Sequence, residues 1–237
     1  MSSEPNGFSG FGKEALPFLK ALGFHQSREW FQENRALYDS QLFMPFVALL
    51  ESANSRMESA GIPLRGERKT SLFRINRDIR FSKDKSPYNT RVSGVLTRTG
   101  TKKDIGGIYM HFEPDNCFLA SGLWFPPGPI LKAMREQIVE RQQDFLQLAA
   151  DLESAGLAIG EHDMVKRSPL GFKHVENEEL LYWLKHKSFI VQKKLDEDII
   201  HSAALLDEIE QFGLQVMPFM QFVWRAVDPL REEKGNA

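Results

Sequence analysis

The chain has 237 residues, with 42% apolar and 26% charged side chains, a formal net charge of −2 and a pI near 6.3. That is the composition of a globular protein long enough to bury a substantial core. A near-neutral balance argues against a wholesale nucleic-acid coat, whose electrostatic footprint is a basic domain, so any basic surface must be local.

Residues 1–10 read as a loose tail, followed by one α+β domain over 11–228 and a polar tail over 229–237. From Gly12, Leu16, Leu19 and Leu22 suit a short helix, with Pro17 in its first turn and Gly23 as its stop. Ser27 is placed to cap a second helix that carries Arg28-Glu29-Trp30-Phe31 and continues through Asn34, Leu37 and Tyr38 at helical spacing. Trp30 and Phe31 read most simply as core anchors. A third amphipathic segment, from Pro45 to Ala60, ends at Gly61.

After Pro63 the composition shifts toward strands. The densest recognition chemistry follows, between Arg74 and Tyr88, in the run RINRDIRFSKDKSPY. Extended, it places Phe73, Ile75, Ile79 and Phe81 on one face and Arg74, Asn76, Asp78 and Arg80 on the other, with only Arg77 breaking the alternation. Such period-two patterning predicts a half-buried strand. The competing helical reading puts Arg74, Arg77, Asp78 and Phe81 on one face. From Ser82 the turn formers and Pro87 predict a loop. That loop is able to fold Lys83, Lys85 and Tyr88 over the arginine face.

Between Arg74 and Arg91 there are six Lys or Arg against two Asp. Guanidinium forks suit phosphate or carboxylate, and lysine neutralises the remaining charge, so an anionic ligand is expected. Arg74, Arg77, Arg80, Lys83, Lys85 and Tyr88 are its candidate binding residues. Asp78 would orient the arginines, and Asp78 and Tyr88 are the candidates for proton transfer.

Further strands are expected at Val92 to Thr97, Ile105 to Glu113 and Cys117 to Trp124, the last two joined as a hairpin by Glu113-Pro114-Asp115-Asn116. Short turns between consecutive strands favour a mostly antiparallel sheet flanked by helices. Trp124 is a candidate aromatic wall for the basic site. Pro129 opens a helix that runs to Gly156 with an interruption near Glu140 to Asp144. Lys166-Arg167-Ser168-Pro169-Leu170-Gly171-Phe172 forms a shaped loop whose Lys166 and Arg167 are expected to face the first basic loop. A short helix through Trp183, a strand at Phe189-Ile190-Val191 and a final helix from Asp196, broken near Gly213 and resumed from Pro218 to Val227, complete the order.

The long motif Arg74-x-x-Arg77-Asp78-x-Arg80-Phe81, followed by Asp84-Lys85 and Tyr88, resembles the signature of the DUF2461 family. The resemblance extends to Arg28-Glu29-Trp30-Phe31, Gly107-x-Tyr109, Gly122-Leu123-Trp124 and Lys166-Arg167-x-Pro169-x-Gly171-Phe172, which covers most of the chain in order. It implies membership of a bacterial and fungal group but no mechanism.

No phosphate-binding glycine loop, nucleophile elbow or metal-ligand spacing is present, and the six histidines are scattered. No metal or cofactor is therefore expected. Cys117 stands alone in an apolar run, which excludes an internal disulfide and suits a reducing compartment. With no secretory leader and no apolar stretch of membrane-spanning length, a cytoplasmic location is expected. Three functions remain open: a binding or catalytic pocket for an anionic, phosphorylated small molecule; a nucleic-acid or protein-tail binding module that stacks Phe81, Tyr88 and Trp124; and an Arg/Asp network that only braces the fold.

Overall fold

A computed structural model describes residues 7–235. The chain is α+β. Helices α1 (Ala15–His25), α2 (Arg28–Glu33), α3 (Arg35–Tyr38) and α4 (Met44–Ser59) precede strands β1 (Val92–Thr97), β2 (Gly107–Phe112) and β3 (Phe118–Leu123). Helices α5 (Gly128–Glu140), α6 (Gln142–Ser154) and α7 (Glu178–Leu184) follow, then β4 (Phe189–Lys194) and the long α8 (Ala204–Gly235). The strands pair antiparallel in the order β1-β2-β3-β4. Among the described residues, no helix is long and apolar enough to cross a membrane.

The chain divides into two compact units. One contains residues up to Asp104, Ile108–Leu119 and Lys194–Leu214, and the other Ile105–Gly107, Ala120–Lys193 and the chain from Gln215. Each gathers three separated stretches, so no boundary coincides with a linker. A sequence without linker signals reads as one domain over 11–228.

In the first unit, Ser27 caps α2 by accepting from the Trp30 amide at 3.1 Å, as expected of a serine before a helix. Phe31 is buried, whereas Trp30 is half-buried and stacks on His25 at 4.8 Å. Gly23 does not stop α1, which runs two residues further and ends at Gln26 with φ 27°. Asn34 separates α2 from α3, and a π-helical stretch, Asp39–Phe43, leads into α4. Ile108, Met110 and Phe112 of β2 are fully buried, and Phe112 packs on Phe11 and Phe46 with ring centroids 5.0 and 5.6 Å apart. Gly94 of β1 leaves room for that packing, because a Cβ there would lie 2.8 Å from the Phe46 ring.

The expected tail over 1–10 is partly corrected. Residues 1–6 lie outside the described residues, but Phe8 is buried and its amide donates to Ser52 Oγ at 2.9 Å. A phenylalanine with a core to reach does not stay loose. The expected break at Gly213 is also absent. That glycine sits inside α8 where a Cβ would approach Ile62 and Ile108 to 3.1 and 3.3 Å, so it permits close packing rather than ending the helix. The polar segment after Pro229 continues the helix to Gly235, and the last two residues lie outside the described ones. Cys117 is buried, and desolvation pushes its thiol up to about 11, as suits a small hydrophobe rather than a nucleophile.

In the second unit, α5 and α6 are interrupted at Arg141, inside the span expected from sequence. Phe145 anchors the core against Phe222 and Phe189 at 5.4 and 6.4 Å. Asn177 caps α7 by accepting from the Leu180 amide at 3.0 Å.

Candidate functional site

The stretch from Leu72 to Arg91 does not form the expected strand. It touches β1 through the single bridge Leu72–Gly94, with the Phe73 amide donating to Ser93 O at 3.0 Å, then leaves the sheet as a long loop. Asn76 and Tyr88 pair across the loop's neck, and the Arg77 amide donates to Pro87 O at 2.8 Å. The reason is local competition for backbone donors. Asp78 accepts from the amide of Arg80 at 3.3 Å, and Asp84 from that of Ser86 at 2.9 Å, so two aspartates form turns where a ladder would need free N–H groups. Only Ile75 of the four apolar positions is buried, and Phe81 is 95% exposed.

The neck is fixed from outside. Tyr88 is 3% exposed and stacks on Phe31 of α2 at 4.4 Å, while its amide donates to Gln26 Oε1 at 3.1 Å and its carbonyl accepts from Gln26 Nε2 at 3.2 Å. Tyr88 is thus an anchor for the loop, packed away from solvent. Asn89 reinforces the neck by donating from Nδ2 to Arg74 O and Ile75 O at 3.1 and 3.2 Å.

Between this neck and β1 lies a cleft of about 620 Å³. Arg74, Arg77, Arg91 and Lys102 line it against one carboxylate, Asp78; Phe73, Asn76, Asn89 and Ser93 complete the wall. Asp78 is engaged with Arg80 through a forked pair of 2.6 and 2.9 Å, which lowers the pKa of its carboxyl. Arg77 pairs with Asp84, whose carboxyl is held far below the usual range by the hydroxyl and amide of Ser86 and then by Arg77. The guanidinium groups of Arg74 and Arg91 have no ion-pair partner among the described residues. Lys102 donates to Leu72 O at 2.6 Å and lies 5.4 Å over the Phe73 ring. Burial, followed by the charge of Arg74, pushes the Lys102 amine down. Like charges this close favour an anion between them.

Of the residues expected at the site, Arg74, Arg77 and Asp78 line the cleft. Arg80 is outside the lining and exposed, with its guanidinium 5.9 Å over Phe81. Lys83 is exposed, and Lys85 donates to Ile79 O at 3.0 Å within the loop. Trp124, Lys166 and Arg167 belong to the second unit. There Trp124 is 61% exposed with edge-on contacts to Phe125 and His162 at 4.8 and 5.2 Å, and Lys166 and Arg167 are exposed.

The cleft also uses residues that sequence reasoning did not single out: Asn76, Asn89, Arg91, Ser93 and Lys102. Arg91, just before β1, and Ser93 within it are two apart, and that spacing was the available signal for a shared face. Lys102 follows a turn and carried none.

No curated protein and no solved structure matches the chain. The DUF2461 family, described as a conserved hypothetical protein, matches residues 14–222, a span that contains every residue lining the cleft. The chain belongs to the DUF2461 family.

Proposed function

We propose that the cleft of the first unit binds a small anionic molecule through a phosphate or carboxylate group. The observation that carries this reading is the pair of uncompensated guanidinium groups, Arg74 and Arg91, converging with Lys102 on one concave surface. Two planar forks and a point charge provide bidentate and neutralising donors for one anion. The size suits a ligand of metabolite dimensions. The single cysteine suits a reducing compartment, and we place the protein in the cytoplasm.

The test is calorimetric titration of the protein with inorganic phosphate and with a panel of small phosphorylated and carboxylated compounds. Arg91→Ala is expected to weaken binding about tenfold or more, the consequence of losing one charge-assisted hydrogen bond worth about 1.5–3 kcal/mol. Unchanged affinity in Arg74→Ala, Arg91→Ala and Lys102→Ala alike would remove the cleft from consideration.

A second reading draws on Phe81, whose exposed ring beside Arg80 is a stacking platform of the kind that binds single-stranded nucleic acid. It predicts oligonucleotide binding that falls steeply with salt and is lost in Phe81→Ala. The first reading predicts that Phe81→Ala leaves small-anion binding intact.

A further inference from the structure

Next to the cleft, β2 and the residue that follows it carry three polar side chains in register. Alternation along the strand sends Ile108, Met110 and Phe112 into the core and puts Tyr109, His111 and Glu113 on the opposite face. Tyr109 Oη and His111 Nδ1 are 2.9 Å apart, and His111 Nε2 lies 3.2 Å from Glu113 Oε2. The other Glu113 oxygen accepts a hydrogen bond from Thr90 Oγ1. Phe118 of β3 stacks on the imidazole at 4.5 Å and 15°, which fixes the plane of the ring.

The protons in this row have a defined order. Burial, the largest influence on Glu113, pushes its carboxyl up, but the hydrogen bonds from Thr90, His111 and Asn116 and the attraction of His111 together hold it below its ordinary value. An ionised carboxylate only accepts, so Nε2 of His111 carries the hydrogen and Nδ1 is left as the acceptor for the Tyr109 hydroxyl. Burial lowers the His111 pKa, Glu113 opposes that, and the nearby charge of Arg91 adds to it, leaving a neutral imidazole at pH 7. A neutral imidazole aimed at a phenol and oriented by a carboxylate has the acceptor–orienter arrangement of a general base.

The row meets the cleft at two points. Tyr109 packs edge-on against Phe73 at 5.9 Å, and Phe73 lines the cleft. Arg91 lines the cleft and also acts electrostatically on His111.

We propose that Tyr109, His111 and Glu113 form a proton relay serving the cleft, which removes the proton from a hydroxyl group of a bound phosphate- or carboxylate-bearing molecule. This rests on the anion-binding reading of the cleft. The O–H bond of the ligand breaks as its proton passes to the Tyr109 oxygen, and the phenolic proton passes to Nδ1 of His111. The electron pair stays on the ligand oxygen, whose charge faces Arg91 and Lys102, and the imidazolium pairs with Glu113. Tyr109, packed behind the lining residue Phe73, takes the proton from the ligand, His111 receives it in turn, and Glu113 is the positioning residue.

The experiment is nitrogen NMR of the full chain labelled in histidine, followed during titration with inorganic phosphate, with phosphate binding measured separately by calorimetry. The ionisable and charged groups facing His111 are Tyr109 on its own strand, Glu113 just past that strand's end and Arg91 just before β1, while Phe118 of β3 is uncharged. The free protein is expected to show His111 as the neutral Nε2–H tautomer with a hydrogen-bonded Nδ1. Bound phosphate offsets the charge of Arg91, so it is expected to move the Nδ1 signal and raise the pH at which His111 protonates. Arg91→Ala should abolish that response. In Tyr109→Phe, which keeps the ring and removes the hydroxyl, the Nδ1 signal should move to its unbonded position. Glu113→Gln should release the tautomer preference. An Nδ1–H tautomer in the wild type, or phosphate saturation that leaves the His111 signals in place, overturns the relay and leaves the anion site standing. Absence of phosphate binding to the wild type overturns the anion site, and the relay falls with it.

Discussion

Asp78 and Arg80 make a well-formed fork in full contact with water, with side chains 61% and 76% exposed. Water screens such pairs and the side chains lose entropy in making them, so the geometry carries little stability. Asp78→Ala and Arg80→Ala are expected to leave the melting temperature unchanged within error; a loss of several degrees would restore the bracing network as the reason for these residues. Arg91 and Lys102 occupy a different setting. They face the same concavity without a carboxylate of their own, and their substitution should register in ligand affinity rather than in melting. The contrast separates charges that satisfy one another from charges that await a partner.

The loop from Leu72 to Arg91 is an element without regular structure, and its order comes from its neck. Tyr88 stacks on Phe31 and shares two hydrogen bonds between its backbone and the Gln26 side chain, so α1 and α2 hold the loop from below. Tyr88→Ala removes a buried ring and is expected to destabilise the protein by about 3–5 kcal/mol, measured by denaturant unfolding. Tyr88→Phe keeps the stack and should both fold and bind phosphate like the wild type. Loss of binding in a folded Tyr88→Phe protein would return the hydroxyl to the site. The helix α8 shows packing overriding local preference on a larger scale. Pro218 lies within it, yet Val216, Phe219, Met220 and Phe222 around it are buried, and that burial outweighs the missing amide bond.

At the scale of the molecule, two buried histidines tie stability to pH, one in each unit. Burial pushes both His111 and His186 below the ordinary value near 6.5. Above 6.5 both are neutral in the folded and unfolded chain, so their contribution is fully present. As pH falls below 6.5 the unfolded chain takes up protons first and stability is lost until the folded pKa values are passed. The melting temperature should therefore begin to fall as pH drops below 6.5, before ordinary carboxylates titrate. His186→Phe, which suits the surrounding rings of Tyr182, Trp183 and Phe189, should flatten part of that slope; an unchanged slope would remove His186 from the account.

The α+β class, the hairpin of β2 and β3, the Ser27 cap and the interruption near Arg141 were legible from residues alone. Each depends on neighbours in sequence, through periodicity, turn formers or a side chain bonding an amide three positions away. The motif from Arg74 to Tyr88 located the basic loop for the same reason. Its alternation still misled, because a strand needs a partner along its length, and Asp78 and Asp84 captured amides that pairing requires. Tertiary structure alone decided that Tyr88 turns inward to Phe31, that Gly213 admits a close approach instead of ending α8, and that Arg91 and Lys102 join Arg74 around one cleft. Those outcomes depend on surfaces brought together from distant parts of the chain, and no local pattern encodes which side chain a folded neighbour will meet.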